Sequence, residues 1–252
     1  MITIDGLSIR TDKIPIIEIP HLEILLNKIY LLLGPNGSGK STLANFIAGT
    51  LKEDKDNSLR ICATQARINN TDLLGLSPSE KSQMGIFLAY QSPPEITGLN
   101  IFSFLHLVFT KHSGNDTSIR EFDRILNENL EKIGLPQEIK ARNFNVGFSG
   151  GERKKMEILQ ILLLKPKFVI LDEIDSGVDI DSLKTILKVL LEYKEQTEAT
   201  LFFITHNLNL AKKIPADEIF IMKSGQIIKK AELLKEKNEL LNLLEEKGYE
   251  SF

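Results

Sequence analysis

The segment Gly34-Pro35-Asn36-Gly37-Ser38-Gly39-Lys40-Ser41-Thr42 constrains this chain more than any other. It follows the apolar run Ile29-Tyr30-Leu31-Leu32-Leu33, which predicts a buried parallel strand. Thr42-Leu43-Ala44-Asn45-Phe46-Ile47-Ala48 comes next and predicts a helix. Strand, glycine loop and helix in that order are the setting in which such a pattern reads as a phosphate-binding P-loop. Glycines let main-chain N–H groups curl around phosphate oxygens, and the helix N-terminus adds partial positive charge. Lys40 is expected to reach the β- and γ-phosphates of a nucleoside triphosphate, and Ser41 to ligand Mg2+.

A length of 252 residues gives room for one large α/β domain, or for a core domain with a helical insertion. The net charge of −3 gives no global attraction to DNA, RNA or anionic lipid, so no nucleic-acid partner is expected. Cys62 is the single cysteine, which excludes a disulfide framework and a thiolate cluster for zinc or iron. Its place in Leu59-Arg60-Ile61-Cys62-Ala63 predicts a half-buried strand residue. Apolar runs stop well short of a bilayer span, and Met1-Ile2-Thr3-Ile4-Asp5 lacks the features of a signal peptide. A cytoplasmic location without direct membrane insertion is therefore expected.

Along the chain, residues 1–27 alternate apolar and polar positions, predicting short strands joined by turns at Asp5-Gly6 and Asp12-Lys13. Residues 52–70 predict a turn-rich stretch around another short strand, as part of an antiparallel lobe. Between Pro94 and Pro166 the pattern becomes helical, with Ile101–Phe109 and Ile119–Ile133 predicted as helices and Gly134-Leu135-Pro136 as a stop. The α/β rhythm returns with strands over Phe168–Leu171, Thr200–Ile204 and Ile219–Met222, and a helix over Asp181–Tyr193. A terminal helix is predicted from Ala231 to Lys247. The expected organisation is an α/β core with a β lobe from 1–93 and 166–252, and a helical subdomain from 94–165.

Phe168-Val169-Ile170-Leu171-Asp172-Glu173 is an apolar strand delivering two carboxylates at its C-terminal end, the edge where open parallel sheets bind ligands. Asp172 is suited to hold Mg2+ through water, and Glu173 to accept a proton from an attacking water. Leu201-Phe202-Phe203-Ile204-Thr205-His206 repeats the layout, which places His206 near the γ-phosphate or Glu173. His21, His106 and His112 sit in no such context and read as structural. Phe148-Ser149-Gly150-Gly151-Glu152 opens an amphipathic run from Arg153 to Leu164. There serine can cap a helix, and the two glycines allow close backbone approach to a second phosphate.

These motifs together resemble the ATPase subunits of the ABC superfamily, essentially from end to end. The P-loop, Gln91 after Leu88-Ala89-Tyr90, the Ser149-Gly150-Gly151 signature, Asp172-Glu173, the loop Ser176-Gly177-Val178-Asp179 and His206 follow the family's order. The resemblance implies an ABC-type P-loop fold with a RecA-like core sheet, an antiparallel β lobe and an inserted helical subdomain. It implies hydrolysis of ATP with Mg2+, held by Ser41, Gln91 and Asp172. Lys40, Gln91, Glu173 and His206 would serve catalysis. Two copies would pair head to tail, so that Ser149, Gly150, Gly151 and Asp179 of one complete the P-loop site of the other.

Within the superfamily, Leu76-Ser77-Pro78-Ser79-Glu80, the run Gly85 to Gly98, Ile158-Leu159-Gln160 and Glu173-Ile174-Asp175 resemble the SufC group, the ATPases of iron–sulfur cluster assembly. That resemblance implies SufB/SufD-type scaffold proteins as partners, with the iron and sulfur chemistry on those partners. The segment Gln91 to Gly98 is expected to pass closure on to them. Tyr90, Phe102 and Phe104 are expected either to contact the partner or to fill the subdomain's interior. Departures from the family pattern are the missing aromatic around Arg10 to Pro15, leaving Ile14 or Ile16 against the base, and the segment Asn45 to Asn70. The rival expectations are the cytoplasmic ATPase of a membrane importer, a clamp on DNA or ribosomes, and a regulatory ATP-binding module.

Overall fold

The computed structural model describes residues 1–12, 14–51, 59–114, 116–232 and 234–251. Strands β1 (Ile2–Thr11) and β2 (Pro15–Ile24) form a hairpin, and β3 (Ile29–Leu33) leads into helix α1 (Lys40–Ala48). Then come β4 (Leu59–Cys62), β5 (Gln65–Ile68), β6 (Thr71–Asp72), α2 (Pro78–Gln83) and β7 (Ile86–Ala89). Strand β8 (Ile96–Asn100) precedes α3 (Ile101–Ser113) and α4 (Ile119–Ile133), and β9 (Asn143–Phe144) precedes α5 (Gly150–Leu164). The chain continues through β10 (Phe168–Asp172), α6 (Ile180–Thr197), β11 (Thr200–Thr205), α7 (Leu208–Ala211) and β12 (Glu218–Lys223). It closes with β13 (Gln226–Ala231) and α8 (Leu234–Lys247).

These elements group into two compact units. One comprises Met1–Leu88, Lys167–Glu173 and Glu198–Phe252; the other comprises Ala89–Pro166 and Ile174–Thr197. Helix α6 thus falls with the second unit, whereas the sequence groups all of 166–252 with the core.

In the first unit, a six-stranded sheet runs in the order β13-β12-β3-β11-β10-β7. Strands β12, β3, β11 and β10 are mutually parallel, and β13 returns antiparallel along β12. Tyr30, Phe168, Phe202 and Phe220 pack across the strands, with Tyr30 and Phe220 stacked at 5.8 Å. All four rings are buried. Truncating one to alanine would cost about 3–5 kcal/mol.

The second sheet, β2-β1-β5-β6 with β4 also on β1, is antiparallel. Its hairpin corrects the expectation of a turn at Asp5-Gly6, because β1 runs straight through. Gly6, at φ 60, instead switches the strand's side-chain parity. Ile2 and Ile4 are buried before it, and Leu7 and Ile9 after it, on the same core face. Of the second expected turn, Lys13 lies outside the described residues. In the 52–70 stretch, where residues 52–58 are likewise outside, the structure has two strands, β4 and β5. Cys62 ends β4 but is exposed rather than half-buried, since Leu59 and Ile61 take the inner positions. The terminal helix begins at Leu234, with Ala231 closing β13 instead.

The second unit is helical, with the two-stranded β8-β9 ribbon. Helix α4 follows its predicted limits. Ser118 caps its start, Gly134 ends it in a left-handed conformation, and Phe122, Leu126, Leu130 and Ile133 form its buried face. Phe102 meets Phe122 edge-on at 5.4 Å and Phe104 meets Phe144 at 5.0 Å, so both rings fill the interior while Tyr90 is exposed. His106 packs on Phe122 and bonds the Thr117 carbonyl. Among the described residues, no helix is long and apolar enough to cross a membrane.

Candidate nucleotide site

Between β3 and α1 the chain turns through Gly34 to Gly39. A side chain at Gly34 would place its Cβ 2.2 Å from the Met222 carbonyl oxygen, so only glycine fits there. Gly39 adopts φ 103 and is the N-cap of α1. Helices α2, α3, α4 and α5 each have a serine or asparagine side chain accepting from their first turn; α1 has no side-chain cap and no acidic residue there. The first turn of α1 thus offers its N–H groups without a capping side chain, and the helix dipole favours a negative ligand. The Ser38 hydroxyl is buried and has no hydrogen-bond partner among the described residues. The loop is held from below, where the Gly225 N–H donates to the Ser38 carbonyl at 3.0 Å.

Lys40 is buried, and its Nζ donates to the carbonyls of Gly34 and Pro35, both at 2.9 Å. Burial lowers its pKa, and the carboxylates of Glu173 and Asp172 act against that shift. A cation, an uncapped helix end and glycine-permitted backbone suit the phosphates of a nucleotide.

Asp172 ends β10 and is buried. The neighbouring Glu173 adopts φ 48, a left-handed conformation costing about 1–2 kcal/mol for a residue with a side chain. Its N–H donates to the Ile204 carbonyl at 2.9 Å, tying it to the end of β11. From that strand end His206 brings Nδ1 to 2.8 Å from Glu173 Oε1. Ser41, on the first turn of α1, and Asp172 can hold Mg2+ by oxygen donors. Among the described residues no three histidine, cysteine or acidic side chains are placed to hold a metal ion by themselves, so a cation here would complete its shell with other ligands.

The second unit holds the remaining motifs. Ser149 and Glu152 form a reciprocal capping box at the start of α5, with the Ser149 hydroxyl accepting from the Glu152 N–H and Glu152 Oε2 accepting from the Ser149 N–H at 2.8 Å. A Cβ on Gly150 would lie 2.1 Å from the Gly177 carbonyl oxygen, and one on Gly151 would lie 3.3 Å from Asp179 Oδ2. The two glycines thus let the signature loop close onto the Ser176–Asp179 loop. Asp179 accepts from the N–H groups of Ser182 and Asp181, and the Ser182 bond leads in holding its carboxyl below the usual range. Gln91 faces a cleft shared with Gly150 and Ser176. The structure therefore gathers Gly34–Thr42, Asp172, Glu173 and His206 in one unit, and Gln91, Ser149–Gly151 and Asp179 in the other.

Sequence inspection missed the groups that hold the signature loop. Arg142 donates to the Val146 and Gly147 carbonyls and lies 4.3 Å from the Phe148 ring centroid. Arg153 Nε donates to the Phe148 carbonyl at 3.1 Å, while its Nη2 bonds Glu95 Oε1 at 2.6 Å. Two arginines flanking a glycine-bearing loop were the available signal.

A family profile described as ABC transporter matches residues 18–176. A protein of Cyanidium caldarium named "Probable ATP-dependent transporter ycf16" is 36% identical, covering 99% of this chain and 95% of its own. The "Iron-sulfur cluster assembly protein SufC" of Plasmodium falciparum is 37% identical, covering 92% of this chain and 65% of its own. Among solved structures, an ATP-binding cassette dimer in a post-hydrolysis state bound to ADP and Pi superposes with a TM-score of 0.78 at 21% identity. That match covers 92% of this chain and 99% of that one, and it supports the α/β ABC-type fold.

Proposed function

The chain belongs to the ABC transporter family of ATP hydrolases, and from that premise we propose that it is the cytoplasmic ATPase subunit of an iron–sulfur cluster assembly complex acting on SufB/SufD-type scaffold proteins. The observation that carries this reading is the 37% identity over 92% of the chain with a protein named for that assembly system. The motif segments from Leu76 to Gly98 and from Glu173 to Asp179 support it.

In this reading Lys40 and the main-chain N–H groups of Gly34–Thr42 bind the phosphates of ATP. Ser41, Asp172 and Gln91 would hold Mg2+, which would supply charge neutralisation to the phosphates. Glu173 takes the proton of the attacking water, and His206, bonded to Glu173, fixes the direction of that carboxylate. Ser149, Gly150, Gly151 and Asp179 bind the nucleotide held by a second copy, so ATP closes a head-to-tail dimer that moves the scaffold.

The test is the steady-state ATPase rate of the purified chain with and without purified SufB/SufD-type scaffold. Stimulation that is lost in Glu173→Gln supports the proposal. A rate indifferent to scaffold but raised by transmembrane permease subunits replaces it with the reading as ATPase of a membrane importer; the Cyanidium relative is named a transporter.

A further inference from the structure

Helix α5 buries two opposite charges among apolar neighbours. Lys154 and Glu157 have side chains only 3% and 5% exposed, with Nζ and Oε2 3.2 Å apart. Desolvating such a pair is expensive, and well-packed apolar side chains in its place are commonly neutral or stabilising. Stability alone is a poor reason to find both charges here.

Each charge has a second partner, and the two partners belong to one residue. The Tyr90 N–H donates to Glu157 Oε1 at 2.6 Å, and Lys154 Nζ donates to the Tyr90 carbonyl. Strand β7 ends at Ala89, so the main-chain groups of Tyr90 lie beyond its ladder. The residue gripped on both sides is the one before Gln91. Farther along, Asn145 Nδ2 donates to the Pro94 carbonyl at 2.9 Å and Arg153 bonds Glu95. Gln91 therefore leaves a fixed anchor and enters a segment fastened again at Pro94 and Glu95, in the cleft with Gly150 and Ser176.

We propose that the Lys154–Glu157 pair is a positioning device for Gln91, fixing the peptide before it so that the amide is pre-set for Mg2+ and water. The inference rests on Gln91 serving the hydrolytic site as read above. Lys154 and Glu157 act through Tyr90 and touch no nucleotide. Together they hold both a donor and an acceptor of one main-chain residue, which no apolar pair can do.

The experiment uses full-length protein carrying Lys154→Met with Glu157→Leu, which removes both charges together and leaves no buried ion alone. Expected is a fall in kcat of roughly 10–100-fold, the scale of a misplaced catalytic group, with a higher Mg2+ concentration for half-activation. ATP binding without Mg2+ and the Tm stay near wild type. Lys154→Arg, which keeps a donor for the Tyr90 carbonyl, should restore most of the Mg2+ dependence, as a purely structural role would not require. If the double variant fails to fold, Lys154→Gln with Glu157→Gln carries the same readout, because it removes both charges together, weakens the grip and nearly keeps the volume.

Gln91→Ala separates the two layers. An impaired Gln91→Ala beside a double variant of normal kcat and Mg2+ dependence overturns the positioning role and leaves Gln91 in place. A Gln91→Ala protein of unchanged rate overturns the role of Gln91, and the positioning proposal with it.

Discussion

Glu173 Oε1 and His206 Nδ1 stand 2.8 Å apart at the adjoining ends of β10 and β11. The carboxylate reaches this place from a left-handed backbone conformation, φ 48, at the point where β10 stops. A residue strained at a strand end and bonded to an imidazole is suited to proton transfer, because its direction is set by a second side chain. Glu173→Gln is expected to lower kcat by roughly 10²–10⁴-fold with little change in ATP affinity. His206→Ala should produce the same kind of defect, and the double variant little more than the worse single. Single-turnover kinetics alongside equilibrium ATP binding check this.

Lys40 should behave differently, since its ammonium lies within the loop that would receive the phosphates. Lys40→Met removes a charge-assisted contact of about 1.5–3 kcal/mol, a loss of roughly 10–100-fold in ATP affinity. Titration with a fluorescent ATP analogue should show that loss before any turnover is measured. An unchanged affinity with reduced kcat would assign Lys40 to the transition state alone.

Ser149 carries two separable roles. Ser149→Ala removes half the capping box and should cost about 1 kcal/mol of stability, read by chemical denaturation. Ser149→Arg in a Glu173→Gln background should abolish ATP-driven dimerisation in analytical ultracentrifugation while each subunit still binds ATP. Unimpaired dimerisation would contradict the shared site.

Lys81 gives a pH signature. Its Nζ donates to the Phe46 carbonyl at 3.0 Å near the C-terminus of α1, and burial pushes its pKa down to about 8. Between that value and the ordinary lysine pKa, the unfolded chain holds a proton that the native chain has released. Unfolding then binds a proton, so this group's contribution to stability rises with pH across the window and is least favourable below about 8. Wild type compared with Lys81→Met, by denaturation at about pH 7 and about pH 10, should shift toward wild type by about 2–3 kcal/mol.

What could be read from the linear sequence was whatever a contiguous run encodes. Ser118, the helical spacing of Phe122, Leu126 and Leu130, and Gly134 together specify α4 without outside help. The strand, glycine turn and helix from Ile29 to Ala48 were equally legible, since they too are a contiguous local pattern. Strand β13 was not, because Gln226-Ile227-Ile228-Lys229-Lys230-Ala231 is an edge strand whose outward lysines blur any alternation. Gly6 looked like a turn because positive φ is common in turns, whereas here it resets side-chain parity within a strand. The grip of Lys154 and Glu157 on Tyr90 spans 64 and 67 residues, and no local pattern encodes a contact of that range.

The most direct test of the central claim is affinity capture from native lysate with Glu173→Gln protein and ATP, with the captured proteins identified by mass spectrometry. The account predicts recovery of soluble SufB/SufD-type scaffold proteins, dependent on ATP and lost in Lys40→Met. Recovery of integral membrane permease subunits in their place would contradict it and make the chain the motor of a transporter.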